Sequence, residues 1–167
     1  MNLSALWESI QGSSLGVYIA ESTWAFPTIE TIHVIAIVTV IGSIAIMDMR
    51  LLGITSRDNA VTAVSRDTLP LTWIAFAFAV MTGSLLFVSK ATSYMANPWF
   101  LSKMVLIACA GINMMILHST GWKSVRSWDT NTPVPRNVKI SAALSLAFWF
   151  TVIFCGRVIG FTLGIYE

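Results

Sequence analysis

Four apolar stretches, at about residues 24–52, 70–90, 99–120 and 140–163, leave this chain of 167 residues few ways to fold. Each approaches or exceeds the ~20 residues an α-helix needs to cross the hydrocarbon core of a bilayer. In lipid the backbone polar groups must be bonded within the segment, so stretches of this length read as spanning helices. Composition agrees: 56% of the residues are apolar and 11% charged, where a soluble domain carries about a quarter charged residues. The expectation is an all-α integral membrane four-helix bundle, a single domain over residues 1–167, with a short N-terminal helix at the membrane interface. The basic residues are scattered and match no nucleic-acid-binding pattern. Cys109 and Cys155 both fall in apolar stretches and read as small buried side chains.

The segments between the spans add orientation. Residues 1–23 are too polar to cross, but their Leu, Trp, Val, Tyr and Ile suit one or two short helical turns at the surface. Pro27 suits the first turn of the first span, and Pro70 is expected to open the second after a polar connection over 53–68. The two long connections, with the end of the first span, hold Arg50, Arg57, Arg66, Lys123, Arg126, Arg136 and Lys139. The opposite side has Lys90, Glu8, Glu21 and Glu167, with Lys103 and Arg157 partly in the membrane. The positive-inside rule then places both connections in the cytoplasm and both termini outside a bacterial inner membrane. Six of the seven tryptophans lie near helix ends, as in an interfacial belt, and Trp149 alone is deep within a span.

The first span carries an unusual stripe. Glu30, His33, Ile37, Ile41, Ile44 and Asp48 are spaced by three or four residues and share one helix face. Ionisable groups inside a membrane helix are costly and mark sites that pair or bind something. Two levels result. An outer level holds Glu30, His33, Lys103 and Arg157, and an inner level holds Asp48 and His118. On the third span Lys103, Ala110, Met114 and His118 fall within ~80° of one another. His33 and His118 are separated in depth by ~20 Å at 1.5 Å per residue, which disfavours a single iron clamped between them and assigns the two histidines to different levels.

At the outer level, His33 can ligate haem iron or relay protons, while Lys103 and Arg157 offer positive charge to haem or porphyrin carboxylates or to a reduced quinone. The alternative is an ion pair of Glu30 with Lys103 or Arg157, with His33 as a hydrogen-bonded core residue. At the inner level His118, Met114, Met47 and Asp48 suit copper(I), a soft cation, although Met is also a common core filler. Gly156, Gly160 and Gly164 form a small-residue face suited to tight packing of the fourth helix.

Taken together, these residues resemble the small four-helix membrane proteins that include the HemJ-type protoporphyrinogen oxidases and the CopD copper-resistance proteins. The similarity is carried by HVIAIVTVIGSIAIMDMRLLG, with His33 and Arg50, by YMANPWFLSKMVL, with Lys103, by TPVPRN, and by Arg157. It spans about Trp24 to Arg157. The resemblance implies a b-type haem associated with His33. The resulting expectation is an inner-membrane haem b protein, a membrane oxidoreductase or electron carrier acting on a quinone or porphyrin-like molecule. Copper handling is one alternative. A cofactor-free subunit of a homo-oligomer or larger complex, assembled through the glycine face, is another.

Overall fold

The computed structural model describes residues 3–56, 58–130 and 132–166, so Arg57 and Glu167, counted above in the charge asymmetry, lie outside the described residues. Two short helices, α1 (Leu3–Gln11) and α2 (Ser14–Glu21), precede the first span, α3 (Ala25–Leu52). They are followed by α4 (Val61–Ser89), a single short helix α5 (Ala91–Ala96), α6 (Pro98–Ile116) and α7 (Arg136–Thr162). Between α6 and α7 the helix continues through a π turn, Leu117–Gly121, and a 3-10 turn, Trp122–Ser127. Four helices are long and apolar enough to cross a membrane, and no strand occurs among the described residues.

Local chemistry explains the boundaries. Helix α3 ends at Gly53, which adopts φ +75°, a left-handed conformation that favours glycine. The following Ile54 N–H donates back to the Met49 carbonyl at 2.9 Å, closing the carbonyls of the last turn. Helix α6 starts where the Asn97 side chain accepts from the Trp99 N–H at 3.0 Å, with Pro98 in the first helical position.

Helix α4 departs from expectation. It begins at Val61, nine residues before Pro70, which lies inside the helix. The reason is a cap supplied by the other connection. The Asp129 carboxylate accepts from the Thr62 N–H at 2.8 Å and from the Thr62 hydroxyl at 2.7 Å, and the Asp129 carbonyl accepts from the Val61 N–H at 3.2 Å. A tertiary contact thus starts the helix two turns early, and no local signal in the sequence marks it.

This cap makes a test. Slight burial opposes the charged form of Asp129, but the bonds from Thr62 and Val61 and the charge of Arg50 hold its carboxyl below the usual 3.8. A depressed folded-state pKa adds stability above the unfolded value, and that contribution is lost as pH falls through the folded value. Asp129→Ala is expected to cost ~1 kcal/mol, as for loss of a helix cap. In detergent melts the difference from wild type should hold between about pH 5 and pH 8 and shrink below about pH 4. A difference that grows on acidification would refute the cap.

The spans form an open ring. Helix α3 packs along α4, α6 along α7, and α3 against α7. The fourth side, between α4 and α6, has no comparable seam among the described residues. At the end carrying the two long connections, a core of Leu51, Val61, Val125, Trp128, Val134, Val138 and Ala142 closes the ring. Val34, Ile35 and Val38 of α3 and Phe150, Phe154 and Phe161 of α7 point outward, as a lipid-facing surface requires. Two of the three glycines of the fourth helix point outward, with nothing within 4 Å of where a side chain would start at Gly160 or Gly164, while Gly156 faces Lys103. The three-glycine face as a whole is therefore not a packing seam within the chain.

Candidate functional site

At the terminal end of the ring, His33 lies in the α3–α4 seam. Its Nδ1 is 2.9 Å from the Thr82 hydroxyl oxygen, which is itself 2.6 Å from the Phe78 carbonyl. A hydroxyl has one proton, and the short approach to a carbonyl claims it. Thr82 therefore accepts from His33, so Nδ1 carries the ring proton and Nε2 keeps a lone pair. Gly83 makes room for the ring: a Cβ there would sit 2.9 Å from His33 Cε1.

Lys103, from α6, is a charge that acts on this imidazole, and its Nζ lies 3.9 Å from where a Cβ of Gly156 would be. Arg157 does not join them. Its side chain is exposed and lies over the Phe161 ring, 4.6 Å from the centroid. Glu30 is exposed and acts on Tyr94 instead; burial first, then this carboxylate, push the Tyr94 phenol from 10.0 to about 12. No ion pair joins Glu30 to Lys103 or Arg157 among the described residues, so the simple paired alternative is not formed.

The inner level is where the structure gathers the most. A cavity of about 160 Å³ is bounded by all four spans and receives Met47, Asp48, Met114 and His118, all four residues expected there. Tryptophans 73, 122 and 149 and Phe76 supply aromatic walls. Asp48 is 5% exposed, and its Oδ2 has no hydrogen-bond partner among the described residues. Ser145, from α7, lines the same wall beside this carboxyl. An unpaired buried acceptor costs about 1–3 kcal/mol, so a fold that keeps one usually puts it to use.

His118 sits at the exposed edge of the cavity, within the π turn. Its Nδ1 donates to the Met114 carbonyl at 3.0 Å, and its ring stacks on Trp122 at 5.4 Å. A π turn frees carbonyls from the regular ladder and recurs at functional sites. Its signal in sequence is weak, and sequence spacing points neither to it nor to the part of Ser145 and Trp73 in this wall. Below the cavity, Leu51 belongs both to its lining and to the closing core. Leu51 thus joins the floor of the cavity to that core, and α4 and α6, the two spans without a comparable seam, both contribute to its wall.

A second, larger depression of about 950 Å³ lies among α1, α2 and α5. It is a surface groove in which Gln11 already accepts from the N–H and hydroxyl of Thr92.

Fold and cavity together define a multi-pass helical membrane protein with an internal chamber sized for a small molecule. Residues 7–162 match a family of unknown function, DUF6644, and the chain belongs to that family. Comparison with curated proteins and with solved structures gave no match.

Proposed function

We propose that this protein binds a small lipid-soluble molecule in the chamber among its four spans, as part of redox chemistry in the membrane. The observation that supports this most is the buried Asp48 oxygen without a partner, placed in an aromatic-walled cavity whose floor is closed by apolar packing. Pockets that hold small ligands have this character: mostly apolar walls and a few convergent polar groups. Approach from lipid follows from the missing α4–α6 seam.

Gly111 provides the test. It lines the cavity and has nothing within 4 Å of where its side chain would begin. Gly111→Leu should fill the chamber while leaving the fold intact. Organic extraction of the purified wild-type protein should then yield a lipid-soluble compound in stoichiometric amount that the variant lacks. Equal recovery from both proteins at equal thermal stability would count against the chamber.

A second reading, a b-type haem at His33, is favoured by one observation: Thr82 holds the Nδ1 proton, which leaves Nε2 as the ligating nitrogen. Lys103 is placed to meet a carboxylate of such a group. Against it, His33 lines neither the surface groove nor the inner chamber, and the chamber is too small for a macrocycle. Haem bound at His33 would give the purified protein a Soret band that His33→Ala loses. Copper without a Soret band would point instead to Met47, Met114 and His118 as ligands.

A further inference from the structure

We propose that the chamber takes the reduced, dihydroxy-aromatic head of a quinol, with one hydroxyl donating to Asp48 and the other to His118. This rests on the chamber being a ligand site and adds the chemical class of the ligand. The argument is an inventory of protons. Asp48 Oδ2 is an acceptor with no donor facing it among the described residues. His118 must carry its proton on Nδ1, because the Met114 carbonyl beside it can only accept, so its Nε2 is an acceptor as well.

Ser145 lies beside the same carboxyl, yet Oδ2 stays without a donor among the described residues, and three other wall hydroxyls are already committed. Thr68 donates to the Val64 carbonyl at 2.9 Å, Ser43 to carbonyls of its own helix at 2.9 Å, and Thr72 to Ser43 at 2.8 Å. A ligand that answers both Asp48 Oδ2 and His118 Nε2 brings two donors.

Size and surroundings narrow the class. The cavity measures about 160 Å³, and an engineered cavity of ~150 Å³ accommodates one benzene ring. Trp73, Phe76 and Trp149 offer faces and edges for such a ring. The closed floor and the unsealed α4–α6 side leave an apolar tail one direction, into the lipid. A free metal ion would not use the aromatic walls, and an oxidised quinone brings only carbonyl acceptors against two acceptors. A site built to bond a hydroxyl rejects the analogue that lacks it.

The experiment is an anaerobic calorimetric titration of the full-length, lipid-stripped protein with a decyl-substituted benzoquinol, its quinone and its dimethyl ether. The quinol should bind saturably, the quinone about tenfold or more weaker, and the ether not measurably. Asp48→Asn, which presents an amide donor, should remove or invert the preference. His118→Phe keeps a ring against Trp122 at an exposed position and should weaken quinol alone, so the assignment stays testable if Asp48→Asn fails to fold. Equal binding of quinol and quinone by wild type, or no binding of either, overturns the quinol assignment and leaves the chamber reading standing. Undiminished quinol binding by a folded Gly111→Leu protein overturns both.

Discussion

Arg50→Met is expected to destabilise this protein severely, well beyond the loss of the Asp129 cap. Arg50 is 5% exposed and sits beneath both long connections. Its Nε donates to the Asn59 carbonyl at 2.8 Å and its Nη2 to the Asp129 carbonyl at 3.2 Å. One side chain therefore ties the α3–α4 connection to the α6–α7 connection, over the apolar core that floors the chamber. Methionine keeps most of the stem's packing but removes both charge-assisted bonds, taking its donor from the Asn59 carbonyl and leaving the Asp129 carbonyl only the Val61 N–H, a loss of ~3 kcal/mol or more. Lysine should rescue little, since it lacks the fork that reaches both acceptors. The measurement is thermal unfolding in detergent; a variant melting within error of wild type would show that the connections are held by something else.

The second large effect is expected at Gly16, where α2 crosses the end of α4. A Cβ there would lie 2.5 Å from the Gln11 carbonyl oxygen and 2.9 Å from that of Val88. These are backbone atoms, and neither can turn aside as a side-chain tip could. Gly16→Ala must therefore lift α2 from α4 and expose Ile19, now 2% exposed. Overpacking of this kind costs ~2 kcal/mol. Limited proteolysis should cut within residues 12–23 in the variant and not in wild type. Gly83→Ala is the milder comparison, because its Cβ would press only on the movable edge of the His33 ring. If the two variants behave alike, the α2–α4 contact is looser than these distances imply.

Much of this architecture was legible in the residues, for a physical reason: lipid imposes one backbone solution on a long apolar stretch, so four stretches read as four helices. Helix stripes were legible too. Asp48 on one stripe and Met114 and His118 on the other reach one cavity because spacing by three and four fixes a face whatever the neighbours do. What spacing could not supply is which face meets which partner. Arg157 lies two residues beyond buried Cys155, on the opposite side of α7, and so points away from Lys103. The early start of α4 depends on Asp129, 67 residues distant from Thr62, and long-range caps leave no local mark. The lone Asp48 oxygen is likewise a property of the assembled ring. A sequence shows an acid within a span but not whether anything answers it.

The ring's unsealed side has a mechanical meaning. Helix α4 is clamped at one end by Asp129 and Arg50 and at the other by α2 and the stack of Phe87 with Trp7, Tyr94 and Phe100. Between the clamps its long packing seam is with α3, and within that stretch Pro70 removes one rung of the backbone ladder. A beam held at both ends and thinned along its length does not slide or swing; it bows. The stretch least held is level with Thr72 and Phe76, which line the chamber. Any yielding of α4 is thereby concentrated in the chamber's wall, while both ends of the helix stay tied.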